Sequence, residues 1–172
     1  MKKIIALSIV ISLFSNITVF AAGLDGKKAA YQGGTTKEKN FPGTSKPVEG
    51  MLNTSDEKVL IFEYKLNKTP MTYSIPFDQI IDIEYGQKAG RRVGAAIATA
   101  ILLTPIALFL LFSKKRKHFV TIGYKGEDGK EEVAVFELGK DIVRTTLPIL
   151  EARSGKKIEY QDEEAKKSSK GS

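Results

Sequence analysis

Arg91 to Lys117 reads RRVGAAIATAILLTPIALFLLFSKKRK, about twenty apolar residues between two basic clusters, and its interpretation decides how the rest of the chain is arranged. From Val93 to Phe112 there is no charge. As one helix, at about 1.5 Å per residue, this run would cover roughly 30 Å, the hydrocarbon thickness of a bilayer, so it reads as a membrane segment. A helix buried in a soluble core is the competing reading, but such helices seldom leave every face apolar over this length.

Two local features set the segment apart from a plain spanning helix. Thr104-Pro105 falls near its midpoint, where proline removes a backbone donor and disfavours helical geometry in the residue before it. The halves also differ in bulk. Val93 to Ala100 is mostly small, with Gly94 and Ala98 in small-xxx-small spacing, whereas Ile106 to Phe112 is Ala, Leu and Phe. A helical hairpin turning at Thr104 and Pro105 is therefore expected, as an insertion over residues 90–115. Kinked spanning helices are common, so proline alone does not exclude one. Arg91, Arg92, Lys114, Lys115, Arg116 and Lys117 are expected at the membrane interface: on opposite sides of a spanning helix, or together on one side of a hairpin.

The amino terminus reads as an export signal of bacterial type. Lys2 and Lys3 precede the apolar run Ile4 to Phe20, and Val19-Phe20-Ala21 supplies residues acceptable at −3 and −1, so residues 1–21 are expected to be removed. An uncleaved signal anchor is the alternative. Residues 22–27 read as a flexible start. The chain has no cysteine, which removes disulfides, thiolate nucleophiles, cysteine zinc sites and a lipoprotein anchor. It carries 27 Lys and Arg against 20 Asp and Glu, net +7; loss of Lys2 and Lys3 leaves 25 against 20, or +5. Six of those basic residues flank the apolar segment, so anionic lipid headgroups explain the excess better than nucleic acid does.

The remainder reads as short strands. Residues 28–35 form a candidate first strand with Tyr31 inward and Gly33-Gly34 at a sharp turn; with no Lys-Ser or Lys-Thr after it, the glycine pair does not make a phosphate loop. Leu60, Phe62, Tyr64 and Leu66 alternate with Val59, Ile61, Glu63 and Lys65, as a central strand would. Asn67 to Pro70 is a turn, Met71, Tyr73 and Ile75 mark the next strand, and Pro76 breaks the ladder. In Ile80 to Tyr85, Ile81, Ile83 and Tyr85 face one way and Asp82 and Glu84 the other. That acidic pair reads as a solvated sheet face rather than a catalytic dyad or cation site. Past the insertion, Phe119 to Tyr124 and Val133 to Leu138 flank the turn Gly126 to Gly129 as a β-hairpin. Asp141 suits the N-cap of a helix ending at Gly155, with Pro148 either kinking it or moving its start to Thr145 or Thr146. Residues 159–172 read as a disordered charged tail.

Up to seven strands and a closing helix, with Val59-Leu60-Ile61-Phe62, with Ile75 to Ile80 leading into a strand, and with the helix Asp141 to Ser154, resemble a bacterial pleckstrin-homology-like (GRAM-like) domain over about residues 28–158. The resemblance implies a mainly β (α+β) fold: a bent antiparallel barrel of two near-orthogonal sheets, one end plugged by the C-terminal helix. The apolar insertion between the fifth and sixth strands departs from that family. So does Asn53 to Glu57, which has no Lys or Arg cluster and so gives no ground for carrying over a phosphoinositide ligand. If the fifth and sixth strands pair, their ends lie only about 5 Å apart, whereas a straight helix would separate them by roughly 30 Å. A single domain with a hairpin is favoured over halves divided by the bilayer, because small β halves bury too little to stand alone.

His118 is the only histidine, and the chain has neither Gly-x-Ser-x-Gly nor His-x-x-x-His. The class expected is a non-enzymatic, membrane-attached interaction or scaffold module, exported to the bacterial cell membrane with its main domain on the periplasmic or outer side. No cofactor, metal or catalytic residue is assigned. The lipid bilayer is the expected partner, with another envelope protein as a further candidate and no nucleic acid. The alternatives are a single-pass protein with β-rich parts on opposite sides, and an envelope enzyme working through carboxylates.

Overall fold

The computed structural model describes residues 28–35, 47–87 and 118–170. Seven strands come first: β1 (Lys28–Gly34), β2 (Val48–Asn53), β3 (Val59–Leu66), β4 (Thr69–Pro76), β5 (Ile80–Gly86), β6 (His118–Lys125) and β7 (Glu131–Leu138). In β3 the alternation holds, with Leu60, Phe62 and Tyr64 buried and their neighbours partly or fully exposed. β3 turns into β4 through Asn67 and Lys68 alone, at φ 50° and 71°. That two-residue turn with both φ positive matches the right-handed strand twist. Thr69 and Pro70, expected in the turn, therefore begin β4, where proline is tolerated because β4 is an edge strand.

The glycine pair in β1 does not turn the chain. Gly33, at φ 134°, sits at a bulge opposite β7, and a Cβ on Gly34 would stand 1.8 Å from the Val133 carbonyl oxygen. Gly33 thus serves the bulge and Gly34 the close backbone approach, both as the last residues of β1.

The strands form one open sheet in the order β4-β3-β2-β1-β7-β6-β5-β8. The last, β8 (Ile158–Tyr160), pairs parallel to β5 with Ile83 opposite Ile158, so the sheet has eight strands rather than seven and is not wholly antiparallel. A three-residue strand is too short to show a period, which is why it escapes the sequence.

The sheet folds back on itself. β4 and β6 stand five places apart in the order, which in a flat sheet means about 24 Å. Yet the hydroxyls of Tyr73 and Tyr124 are hydrogen-bonded, and the rings of Phe62 in β3 and Phe136 in β7 lie 5.3 Å apart. Tyr31 stands against both Phe136 at 5.6 Å and Tyr73 at 6.5 Å, which places an aromatic joint inside the bend.

Helix α1 (Lys140–Ser154) closes this interior with Ile142, Val143, Leu147 and Leu150. Its N-cap is Gly139 rather than Asp141, which lies in the first turn where a carboxylate favours the helix dipole. The helix runs through Pro148 and ends, as expected, at Gly155 in the left-handed conformation, whose N–H donates to the Glu151 carbonyl at 3.0 Å. The Arg153 guanidinium donates to the carbonyls of Thr54 and Asp56 and lies 5.5 Å over Phe77. It thereby ties α1 to the β2–β3 connection and to the 3-10 turn Phe77–Gln79 that leads into β5.

The tail expected to be disordered holds regular structure among its described residues. Glu163–Lys170 forms α2, capped by the Asp162 carboxylate accepting from the Ala165 N–H at 2.7 Å, with Ala165 and Ser169 buried. Its composition concealed this, because one alanine and two serines against the sheet make no apolar stripe. The fold is thus mainly β with two helices. Among the described residues no helix is long and apolar enough to cross a membrane. The signal at 1–21, the flexible start at 22–27, and Arg91, Arg92, Thr104, Pro105, Lys114, Lys115, Arg116 and Lys117 lie outside them.

Removal of the joint should be costly. Phe136→Ala is expected to destabilise the chain by about 3–5 kcal/mol, the range for a fully buried phenylalanine, read from the denaturant midpoint in detergent. A loss under about 1 kcal/mol would mean that the bend does not depend on this ring.

Candidate functional site

The site worth building is the place where the insertion leaves the sheet and returns to it. β5 and β6 pair antiparallel, with Tyr85 opposite Val120 and Gly86 opposite Phe119. Neighbouring strands lie about 4.8 Å apart, so the chain leaves after Gln87 and re-enters at His118 from adjacent points on one end of the sheet. Around that point stand β5, β6, β8 and α2, with the end of β7 and the start of α1 beside His118.

Tyr85 is fully buried and faces inward. His118 lies two residues before its partner Val120, so it shares that face, and its ring stacks on Tyr85 at 6.1 Å with 13° between planes. The Tyr85 hydroxyl is 2.5 Å from His118 Nδ1 and 3.1 Å from Ser168 Oγ on α2. Ser168 donates in turn to the Ala165 carbonyl at 2.8 Å. One direction satisfies every proton in this chain: Nδ1–H to Tyr85, Tyr85 O–H to Ser168, Ser168 O–H to the carbonyl. Tyr160 meets Tyr85 edge-on at 6.0 Å, and the Gln161 N–H donates to the Tyr85 carbonyl at 3.0 Å. The Gln161 side chain fills the space a Cβ on Gly86 would need.

Burial, and secondarily the Lys140 ammonium, push the His118 pKa below its ordinary value against an opposing pull from Glu137. Burial likewise raises the Tyr85 pKa, with Tyr160 adding to it and the bond to Ser168 working against it. At neutral pH both groups are uncharged. The cluster joins β5, β6 and α2 through uncharged groups.

Asp82 and Glu84 share the opposite face of β5, as expected, but that face is not solvated. Glu84 is 8% exposed, its register partner on β8 is Glu159, and Asp82 is half-buried. Burial is the chief cause of the raised Asp82 pKa; Glu159 and Glu131 add to it, and the Gly123 N–H opposes it. The alternation identified their shared face but not that the face is covered. Among the described residues no three His, Cys, Asp or Glu are grouped to hold a metal ion. The basic and turn residues assigned from sequence lie outside the described residues, so what the structure supplies is their two points of attachment.

The hydrogen-bonded cluster was not visible in the sequence. His118 and Tyr85 lie on either side of the insertion, and Ser168 sits in a Lys-Ser stretch without periodicity. Comparison with known proteins yields no matching family model and no matching curated protein.

The cluster makes stability depend on pH. Because the folded pKa of His118 lies below the unfolded value of about 6.5, the unfolded chain binds more protons just under that pH. Stability is therefore full above pH 6.5 and declines as pH falls toward the folded pKa. Asp82 runs the other way: its contribution is present below the ordinary carboxylate pKa and is lost as pH rises through its raised value. Thermal melts at about pH 7.5 and pH 5.5 should show wild type losing stability on acidification, and His118→Asn losing less. An identical acid shift in both proteins would remove His118 as the titrating group.

Proposed function

We propose that the chain is a membrane-attached interaction module: a β domain of pleckstrin-homology-like layout, exported with cleavage after Ala21 and held at the bacterial envelope membrane by its apolar insertion. The observation carrying this reading is the pairing of Tyr85 with Val120. It brings the two ends of a 30-residue insertion, 88–117, to neighbouring positions, whereas a straight apolar helix would carry them roughly 30 Å apart. A hairpin turning at Thr104 and Pro105 meets that constraint. Its arms of about 14 Å reach into one leaflet, and Arg91, Arg92 and Lys114 to Lys117 then lie together at a single interface. The same pairing weighs against β-rich parts on opposite sides, since their strands belong to one sheet.

The layout supports the family reading in part. What supports it is a bent sheet with a helix closing its interior, while the single open sheet in place of two, the parallel β8 and α2 depart from the family plan. Burial of about 0.8 kcal/mol per CH₂ over two apolar arms outweighs the roughly 1 kcal/mol per Lys or Arg available from anionic headgroups, so the apolar residues dominate attachment. The partners of this module are the bilayer and a second envelope protein.

The absence of native cysteine allows a direct test of one-sidedness. Gln87→Cys and the exposed hairpin position Glu127→Cys, each alone in sealed membrane vesicles, should both react with an impermeant maleimide or both resist it. Labelling of one without the other means the insertion spans, and the single-domain reading fails.

A further inference from the structure

Strands β6 and β7 are apolar on both sides, the pattern of strands covered on both faces. On the inner side they meet α1. On the outer side Phe119, Val133 and Val135 are 2%, 2% and 3% exposed, and none of them belongs to the core that α1 closes. Thr121 and Gly123 between them are buried too, as is Gln32 beside them on β1, whose amide donates to Glu137 at 2.7 Å. By contrast the outward residues of β3 are partly or fully exposed. The outer strip is therefore closed to solvent, although both described helices pack on the other face: α1 through Leu147 and Leu150, α2 through Ala165 and Ser168.

The chain that leaves and returns at one end of this strip is the insertion, 88–117, re-entering one residue before Phe119. The dimensions agree. From Phe119 to Gly123 the strip runs about 13 Å along β6, and Val93 to Ile101 as a helix covers about 14 Å. The surfaces agree as well. The floor of the strip is low, with Thr121 and Gly123 on β6 beside Val135 and Val133, and Gly33 on β1 beyond Val135, and small residues such as Gly94, Ala95 and Ala98 allow a helix backbone to come close. Ile106 to Phe112 is too bulky for that approach.

We propose that the small-residue arm, Val93–Ile101, docks on the outer face of β6 and β7 between Phe119 and the Val133–Val135 pair, leaving the bulky arm, Ile106–Phe112, to meet lipid. The proposal rests on the hairpin reading given above and narrows it: the turn at Thr104 and Pro105 is kept, but one arm rather than two enters the leaflet. It also orients the domain, because the β5–β7 face then turns toward the bilayer and the β2–β4 face away from it.

Paired cysteines test the docking, since a disulfide forms only where Cα atoms come within about 7 Å. Val135→Cys is combined in turn with Ala95→Cys, Ala96→Cys and Ala98→Cys, and with Leu108→Cys and Leu111→Cys, in otherwise intact chain in membranes under mild oxidation. Loss of maleimide labelling at both positions is expected with at least one small-arm partner and with neither leucine. No bridge from the small arm, or one formed equally by the bulky arm, overturns the docking. Thr121→Cys serves as a second anchor with the same expectation should Val135→Cys fail to fold. The same membranes are then extracted with alkaline carbonate. A bridged chain in the supernatant sinks membrane attachment while docking stands; an unbridged chain in the pellet does the reverse.

Discussion

Everything in this molecule answers to the hydrogen-bonded pairing of β5 with β6, because these strands are neighbours in space and separated in sequence by residues 87–117. A sheet ladder holds its backbone groups within about 3 Å of one another and tolerates no drift. Whatever the insertion does, it must therefore begin and end at one place. The Tyr85–His118–Ser168 cluster stands directly behind that place and adds the C-terminal helix to it. The two entry points are thus fixed by backbone, by aromatic stacking and by side-chain hydrogen bonds together.

The interior follows from a second constraint, that a sheet must bury one face against something. Here the sheet does much of this itself by bending until β3 and β4 lie over β6 and β7, with tyrosines contributing ring area inside and hydroxyls that pair. The Tyr124 hydroxyl also donates to Glu132 at 2.6 Å, so a phenol within the bend reaches a carboxylate on the neighbouring strand. One helix then suffices to close the opening. Arg153 holds its far end by giving its protons to backbone carbonyls of the β2–β3 connection, which in a loop have no ladder partner.

Much of this was legible beforehand, and for physical reasons. β3 and the β6–β7 hairpin were readable because alternation over six or more residues is a strong signal, and Gly155 because a helix end needs φ > 0. The succession of strands along the chain followed from the same alternation, but their order in the sheet did not. Gly33 and Gly34 misled because a glycine pair has the same letters in a turn and in a bulge; only the nearness of the Val133 carbonyl separates the two. Glu84 misled because period two tells which residues share a face, not whether that face meets water. β8 and α2 gave no warning, since three residues have no period and α2 is held by a capping carboxylate, one alanine and a serine bond. The cluster at the base of the insertion was hidden by distance along the chain: Tyr85, His118 and Ser168 meet only once the sheet exists.

The sheet order also sets a timetable for synthesis. β1 to β4 are joined by consecutive pairings and can assemble as they emerge, but β1 finds its other neighbour only in β7, and β5 finds its edge partner only in β8, close to the end of the chain. Long-range pairing of this kind is slow and leaves strand edges open while it waits. The apolar segment emerges inside that interval, ahead of β6, β7 and both helices. During biosynthesis a long apolar stretch is thus presented beside half a sheet with an open β1 edge. Early shielding of that stretch would protect the unfinished domain.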